Sequence, residues 1–593
     1  MKFSKVVLAA FLGTLIALVI NFFVKVGFVS AMISGMSSEN ETSTVVKPNS
    51  LLYMKLNYEI QDRTIDNPFS SVNFSSMEMS ESTGLNDILR NIEYAKTDKN
   101  IKGIYLELSS IPTSTATLQE IRSKLAEFKE SGKFIVCYGE SYSQTAYYMA
   151  SVADHIWLNP EGMLDLHGMA SQIMFYKRML DKLDVEMQIV RGPNNRFKSA
   201  VEPYFLEKMS EANREQMEKL LGTVWGEILN AISQSRNISV EKLNEIADNL
   251  ELMTNAQKAL DYGLVDKLYY KDQVLEELKS LTGSTDKVNA INNANYAKSY
   301  KIKNKSKNEV AIIYATGTIS DGKGDEETGI YSENLSKTIR KAREDKNVKA
   351  VVLRVNSPGG SAVASAIIGR ELDLTKEVKP VIVSMGNYAA SGGYWISAKA
   401  DYIFADPTTL TGSIGVFGTF PNAQGLLNDK IGLTFDVVKT NENADFGSIT
   451  QPLTEFQYSK LQQNVVKTYN DFTMRVAEGR GLTQTYVDSI GQGRVWAGAD
   501  AIELGLVDQL GDMEDAIAFA AAKAELGDDY VVTEFPKAKD FFSRIVESMN
   551  PSNELDAALR QKMGVYYHYF EGLENLQKNT GIQARMPFDL VIE

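Results

Sequence analysis

The feature of this sequence that most limits its fold is an internal repeat. The segments that match in order are residues 101–108 with 348–355, 153–154 with 400–401, and 263–266 with 505–508. In each copy an apolar run is followed by a turn, a helix-forming stretch and a second short apolar run, which is the order of a right-handed βαβ unit. The sequence therefore predicts two tandem α/β units, each built on a buried parallel sheet.

Composition suggests where these units begin and end. A chain of 593 residues is too long for one ordinary core. Residues 34–50 and 284–308 are polar and lack apolar periodicity, as linkers do. We therefore expect a first α/β repeat over residues 51–283, a second over 309–535, and a tail over 536–593. The tail is rich in tyrosine around residues 566–569 and would either join an interface or cover the core.

Residues 1–33 are expected to form a transmembrane anchor. Lys2 and Lys5 precede an almost unbroken apolar run over residues 6–24, which is long enough to cross a bilayer as a helix. Cleaved signal peptides usually have an apolar run of about 7–15 residues, although residues 29–31 could serve as a cleavage site. Positive charge before the span favours a cytoplasmic N-terminus, with the rest of the chain on the far side.

Charge and rare residue types exclude several functions. The net charge of -14 argues against a nucleic-acid partner, because phosphate binding needs a surplus of Lys and Arg. Cys137 is the only cysteine, so the chain can form no internal disulfide and no cysteine-rich metal site. None of the three histidines lies in a metal-ligand pattern. We therefore expect neither a metal nor an organic cofactor.

The second copy carries two motifs that the first lacks. Residues 356–361, Asn-Ser-Pro-Gly-Gly-Ser, follow its first strand, and the two glycines could form a plain turn or bring backbone N–H groups to a ligand. Ser391 follows its second strand and opens an apolar helix. There it could be a simple helix cap, or a nucleophile helped by the helix dipole and the N–H of Gly392. The first copy has Gln144 at this position, which cannot attack.

A serine nucleophile needs a base, and histidine does not supply one. His155 and His167 both belong to the copy without the serine. The first copy also contains Lys198, which lies opposite Gly447 of the second copy when the phenylalanines before them are aligned. The half that kept the lysine thus lost the serine, and the reverse.

A lysine acts as a base only when it is neutral. Its pKa must then fall well below its ordinary value of about 10.4, which burial can achieve. Spacing alone would make Lys198 a solvated surface group. The complementary losses favour the base.

The residues around these positions resemble the signal peptide peptidase A family in its long, duplicated form, and more distantly the Clp protease and crotonase fold. The segments that carry the resemblance are residues 198–203, 356–361, 390–394 and 410–416. The resemblance implies that Ser391 is the nucleophile, Lys198 the general base, and the N–H groups of Gly360 and Gly392 the oxyanion donors. Ser413 would orient the lysine ammonium, unless its hydroxyl only caps a turn.

The same resemblance implies an assembly, a location and a substrate. It implies a homotetramer in the bacterial inner membrane, with the catalytic units on the periplasmic side. The substrates would be signal peptides left in the bilayer and other apolar peptides. Whether Lys198 meets Ser391 within one chain or across an interface stays open, although two halves in one polypeptide favour the former.

Two other functions are compatible with such a fold. A crotonase-type acyl-CoA enzyme shares the βαβ repeat and an oxyanion hole, but needs neither an anchor nor a duplicated half. A non-enzymatic membrane scaffold would have kept the fold and lost the activity. The presence of both Ser391 and Lys198 argues against that loss.

Overall fold

The computed structural model describes residues 45–64, 72–73, 78–79, 83–300, 306–326, 328–536 and 581–586. The expected anchor, residues 1–33, and the tyrosine-rich stretch 566–569 lie outside these ranges. None of the helices within them combines the length and apolar character needed to cross a bilayer.

The first half, residues 45–300, is built on a parallel sheet. Its strands are β1 (Ser50–Met54), β2 (Val72–Asn73), β3 (Glu78–Met79), β4 (Ile101–Glu107), β5 (Phe134–Gly139), β6 (His155–Leu158), β7 (Glu186–Arg191), β8 (Lys267–Leu268) and β9 (Asn289–Asn292). Its helices are α1 (Leu85–Thr97), α2 (Thr115–Lys129), α3 (Gln144–Ala150), α4 (Lys177–Lys182), α5 (Glu202–Phe205), α6 (Glu211–Arg236), α7 (Val240–Asp248), α8 (Ala256–Asp261), α9 (Lys271–Thr282) and α10 (Asn293–Ser299). The sheet order is β8-β6-β5-β4-β1-β9, and every pairing in it is parallel.

The second half, residues 306–586, repeats this plan. Its strands are β10 (Glu309–Thr316), β11 (Ile319–Ser320), β12 (Ile330–Tyr331), β13 (Val348–Ser357), β14 (Gly359–Ser361), β15 (Val381–Ala390), β16 (Tyr402–Ala405), β17 (Leu410–Gly412), β18 (Phe417–Asn422), β19 (Val495–Ala497), β20 (Gln509–Leu510), β21 (Val531–Phe535) and β22 (Gly581–Arg585). Its helices are α11 (Ser332–Glu344), α12 (Ala362–Lys376), α13 (Gly392–Ser397), α14 (Glu455–Arg480), α15 (Gln484–Ile490), α16 (Gly498–Glu503) and α17 (Met513–Lys523), with a π-helical turn at Leu426–Ile431. Six of its strands run in the order β20-β16-β15-β13-β10-β21, which matches the order of the first sheet.

The matched aspartates of the two copies make the same contact. The carboxylate of Asp154 accepts a hydrogen bond from the N–H of Ile135 at 2.8 Å. The carboxylate of Asp401 accepts one from the N–H of Val381 at 2.9 Å. Each aspartate thus ties the start of one strand to the start of the strand beside it, and the sequence repeat is a repeat of structure.

The polar stretch over residues 284–308, expected to be a linker, contains regular structure. Within it, β9 pairs in parallel with β1, and α10 follows directly. Ile291 and Tyr296 are buried, and the side chain of Asn292 caps α10. Two apolar anchors in an asparagine-rich segment are too few to produce a periodicity, so this strand and helix could not be predicted from the sequence.

The two halves are joined by a third sheet in the order β12-β11-β14-β22-β18-β7. Its edge strand β7 comes from the first half and pairs antiparallel with β18 of the second. Main-chain hydrogen bonds therefore fix one half against the other, close to the segment that carries Lys198.

A buried ionic cluster also crosses between the halves. Arg354 of β13 is fully buried and donates hydrogen bonds to the carboxylates of Asp62, at 2.9 Å, and Glu120, both from the first half. Burial raises the pKa of Glu120 to about 7, against the opposing effect of the Arg354 guanidinium. Burial alone would lower the pKa of Arg354, but the carboxylates of Glu120 and Asp62 reverse that shift, so the arginine stays charged.

Candidate active site

A loop of the first half carries Lys198 into the second half. The N–H of Phe197 donates to the carbonyl of Gln492 at 3.0 Å, and the guanidinium of Arg494 lies 4.6 Å from the centre of the Phe197 ring. From α6, the side chain of Gln216 accepts a hydrogen bond from the N–H of Val495 at 2.8 Å. These contacts fasten the lysine loop to residues 492–495, at the start of β19.

Glycines of the second half make room for the lysine stem. A Cβ at Gly493 would lie 2.5 Å from the Cβ of Lys198, and one at Gly415 would lie 3.1 Å from its Cδ. Gly493 also has a φ of +84°, which favours glycine in its own right. Neither glycine was predicted from the sequence as part of the site, although the Gly-Gln-Gly triplet at residues 491–493 could have been a signal.

Ser391 lies at the sharp turn between β15 and α13. Its backbone has φ 55° and ψ -112°, a combination that non-glycine residues rarely adopt and that costs about 1–3 kcal/mol. The N–H of Ser391 donates to the carbonyl of Gly412 at 2.8 Å, and its carbonyl accepts the N–H of Trp395 at 2.8 Å. The strained turn is thus held in place from both sides.

The structure brings Lys198, Ser391 and Ser413 together. The Nζ atom of Lys198 lies 3.0 Å from the Oγ of Ser391, 2.9 Å from the Oγ of Ser413 and 3.1 Å from the carbonyl oxygen of Ser413. A neutral amine has two N–H groups and one lone pair. Because a carbonyl can only accept, the arrangement is satisfied when both N–H groups point to Ser413 and the hydroxyl of Ser391 donates to the lone pair.

The surroundings of Lys198 favour that neutral form. The side chain is fully buried, and burial holds the pKa of its amine well below the usual range. In the part of the chain that the structure describes, no carboxylate lies within ion-pair distance of its Nζ. Burial thus favours the neutral amine over the charged one, and only the neutral amine can accept a proton.

Gly360 and Gly392 lie beside one carbonyl oxygen, that of Ala584. Strands β14 and β22 are antiparallel, with Gly360 opposite Ala584, and the N–H of Met586 donates to the carbonyl of Pro358 at 2.7 Å. Because hydrogen-bonded pairs alternate along such a ladder, the next one joins the N–H of Gly360 to the carbonyl of Ala584. A Cβ at Gly392 would lie only 3.1 Å from the same oxygen.

The corresponding position of the first half has no nucleophile. Tyr147 and Tyr394 make the same hydrogen bond, to the carbonyls of Leu264 and Leu506 at 2.8 Å, which places Gln144 where the second half has Ser391. The Gln144 side chain accepts the N–H groups of residues 167 and 168 at 3.2 and 3.1 Å. Gln144 therefore bridges residues of its own half, and its amide cannot act as a nucleophile.

The other residues singled out from the sequence play no part in this cluster. His167 is half-exposed and contacts Asp165 at 2.6 Å, and the ring of His155 stacks near Trp157. Gly447 has a φ of +83° on an exposed turn. Across the described residues, no group of His, Cys, Asp or Glu side chains could hold a metal ion.

Comparison with known proteins gives a consistent result. The sequence profile of peptidase family S49 matches residues 127–285 and 373–527, one stretch in each half. "Protease 4" of Salmonella typhi is 41% identical over 76% of this chain and 74% of its own. "Protease 4" of Haemophilus influenzae is 36% identical over 86% of this chain and 85% of its own.

More distant matches are also found. "Serine protease SPPA, chloroplastic" of Arabidopsis thaliana is 31% identical over 91% of this chain and 78% of its own. Among solved structures, the ClpP1 N165D mutant from Listeria monocytogenes covers 36% of this chain and 95% of its own, at 16% identity and a TM-score of 0.24. A TM-score of this size adds nothing to the assignment.

Proposed function

Because the chain belongs to peptidase family S49 and is a serine protease, we propose that Ser391 is its nucleophile and Lys198 its general base. The observation that carries this proposal is the contact of the buried Lys198 amine with the Ser391 hydroxyl at 3.0 Å. Membership in this family argues against the acyl-CoA enzyme and the inactive scaffold.

The proposed reaction proceeds through an acyl-enzyme. Neutral Lys198 takes the proton of Ser391 as the Oγ attacks the peptide carbonyl carbon, and it gives that proton to the leaving amine as the C–N bond breaks. Lys198 then accepts a proton from water, whose oxygen attacks the ester, and returns it to the Ser391 oxygen. The products are a carboxylic acid and an amine, and the enzyme is regenerated.

Three other groups support these two side chains in the proposal. The N–H groups of Gly360 and Gly392 would stabilise the oxyanion, and loss of one such donor typically costs about 3–4 kcal/mol of transition-state stabilisation. Ser413 would hold the amine in line through its hydroxyl and carbonyl, 2.9 and 3.1 Å away. No step requires a metal or an organic cofactor.

We further propose that the enzyme is anchored in the bacterial inner membrane and degrades signal peptides and other apolar peptides on the periplasmic side. The apolar run over residues 6–24, with Lys2 and Lys5 before it, supports the anchor and its orientation. An enzyme held there would meet the apolar peptides that remain in the bilayer after preproteins are processed.

A homotetramer is also part of the proposal. Residues 431–438 expose large apolar side chains, which monomers rarely leave in one patch. The exposed side chains are Ile431, Leu433, Phe435, Val437 and Val438, the last of them 97% exposed. Burial of this segment between copies of the chain would remove it from water.

The test is cleavage of an apolar fluorogenic peptide by the full-length protein in detergent. We expect Ser391→Ala and Lys198→Ala each to lower kcat at least about 10³-fold. Loss of either member of a catalytic pair removes most of the activity that the two residues supply together. Circular dichroism and gel filtration check that each variant folds and assembles. Near-normal activity of Lys198→Ala would show that another base operates.

A further inference from the structure

The side chain of Arg494 contacts two aromatic rings, one from each half of the molecule. Its guanidinium carbon lies 4.6 Å from the centre of the Phe197 ring and 4.3 Å from the centre of the Trp496 ring. Phe197 belongs to the first half and directly precedes Lys198, whereas Trp496 lies in β19 of the second half. Because a planar cation is attracted to the faces of both rings, Arg494 links the lysine loop to β19.

A carboxylate of the first half orients this guanidinium group. The Oε1 atom of Glu215, in α6, lies 2.9 Å from the Nη1 atom of Arg494, and its Oε2 atom lies 3.2 Å from the Nη2 atom of Arg196 in the lysine loop. The Glu215 side chain is 46% exposed, so this ion pair alone stabilises the protein little. Its effect is geometric, because a bond at the edge of a planar group determines how the faces of that group meet the rings.

The main chain of Arg494 contacts the second partner of the lysine. Its carbonyl accepts a hydrogen bond from the N–H of Ser413 at 2.7 Å, and the N–H of Gly493 donates to the carbonyl of Ile414 at 2.7 Å. Ser413 in turn accepts hydrogen bonds from the amine of Lys198 at 2.9 and 3.1 Å. One residue therefore contacts both the loop that carries the lysine and the serine that receives its N–H groups.

The position of Lys198 and its low pKa both depend on these contacts. Burial is what lowers the pKa of the Lys198 amine, and the charge of Arg494 is not among the causes. If the lysine loop moved away from β19, the bonds from Lys198 to Ser391 and Ser413 would lengthen and water would reach the amine. Water would raise the pKa of Lys198 toward its ordinary value, because it stabilises the charged form.

We propose that Arg494 is a positioning residue of the serine-lysine pair, which joins the lysine loop to β19 and so keeps the Lys198 amine beside Ser391 and out of water. This inference rests on the proposed function. Arg494 takes no part in making or breaking bonds. Its loss should lower kcat far more than it raises KM, because the group that moves is the base and not a contact to the peptide.

The main test replaces Arg494 by methionine, which keeps a long side chain and removes the planar cation. Cleavage of the apolar fluorogenic peptide by the full-length protein in detergent is measured from pH 5 to about 10. We expect Arg494→Met to lower kcat at least about tenfold and to leave KM within about twofold, because a small displacement of a catalytic group costs much of the rate. The acid side of the pH profile should move to higher pH, because water at the amine raises the pKa of Lys198.

Two further variants separate the parts of the contact. Arg494→Lys keeps the charge but cannot stack its head group on both rings, so it should behave like Arg494→Met. Wild-type kcat in Arg494→Lys would show that charge alone is needed and would overturn the proposal. Glu215→Gln alters a half-exposed side chain and should lower kcat about threefold. If neither Arg494 variant folds, an unchanged kcat and pH profile in Glu215→Gln would overturn it.

Arg236 provides the matched control. Its side chain is 11% exposed, against 16% for Arg494, and it pairs with Asp266 at 2.6 Å. It lies at the other end of α6 from Glu215, roughly 30 Å along the helix at 1.5 Å per residue. Arg236→Met should lower the free energy of unfolding in urea, yet keep kcat within about twofold and leave the pH profile in place.

The outcomes separate this inference from the proposed function. Wild-type kcat and an unmoved pH profile in folded Arg494→Met, while Ser391→Ala and Lys198→Ala are inactive, would overturn the inference alone. A fall in kcat that Arg236→Met reproduces would mean that Arg494 only stabilises the fold. If Ser391→Ala cleaves the fluorogenic peptide as wild type does, the proposed function fails, and the inference with it.

Discussion

The two halves of the molecule share a sheet and differ in what they place at its end. In the first half the turn after β5 carries Gln144, whose side-chain amide hydrogen-bonds to residues 167 and 168. In the second half the matching turn, after β15, carries Ser391 in a strained backbone conformation. A repeated scaffold can thus keep its strand order while the loops at the strand ends acquire different chemistry.

Neither half holds a complete site. The lysine loop belongs to the first half, but its buried amine hydrogen-bonds to Ser391 and Ser413 of the second. The contact depends on how the halves dock, through β7 beside β18 and through the buried Arg354 cluster. Experiments can therefore separate two features of the molecule. One is the residue that each half places at its turn, and the other is the docking of one half on the other.

An exchange of the two turn residues should have the largest effect. Ser391→Gln together with Gln144→Ser puts a serine in the half without a facing lysine, and we expect kcat to fall at least about 10³-fold. Gln144→Ser alone should stay within about threefold of wild type, because the Gln144 side chain hydrogen-bonds to residues 167 and 168 of its own half. The fluorogenic assay measures both. Substantial activity in the exchanged protein would mean that the halves are chemically equivalent.

Docking is tested at another matched position, Arg354 in β13 and Glu107 in β4. Arg354→Gln leaves the carboxylates of Asp62 and Glu120 without their buried partner, so we expect a loss of about 3–5 kcal/mol in the free energy of unfolding. Glu107→Gln alters a partly exposed pair with Lys271 and should cost less than about 1 kcal/mol. Urea unfolding followed by tryptophan fluorescence compares the two. Equal losses would show that the cluster does not hold the halves together.

The last prediction concerns pH and two lysines of the first half. Lys124 faces carboxylates, which raise its pKa against the effect of burial, whereas Lys198 has burial alone and its pKa falls. Below its lowered pKa, Lys198 carries a proton and cannot accept another, so kcat/KM should drop about tenfold per pH unit on the acid side and level off above that pKa. A profile measured from pH 5 to 10 that stayed flat would contradict lysine as the base.

The candidate catalytic residues can be predicted from the sequence because they appear as differences between the two copies. Ser391 against Gln144, and Lys198 against Gly447, are visible in one chain without any structure. The structure brings this serine and this lysine together at 3.0 Å, with Ser413 beside them. The α/β class and the repeat were predicted for the same reason, since apolar strands and their order are local properties of the sequence.

What the sequence did not reveal depends on contacts between distant residues. β9 is held by pairing with β1, more than two hundred residues earlier, and its own composition is that of a linker. Residues 581–586 show no strand pattern of their own, and they become a strand through pairing with β14 and β18. The charge of Arg354 gave no hint of burial, because its two partners lie in the other half.

The placement of the lysine loop in the first half has a consequence for biosynthesis. A polypeptide is made from its N-terminus, and domains fold largely in that order. On the proposed mechanism, a nascent chain that has emerged only as far as residue 300 carries a base with no serine to activate, and proteolysis by ribosome-bound chains stalled there would contradict that mechanism. The serine follows the lysine by 193 residues along the chain, and residues 492–495, which hold the lysine loop in place, are translated later still. On the proposed mechanism, proteolytic activity therefore arises late in synthesis, when both halves of the chain are present.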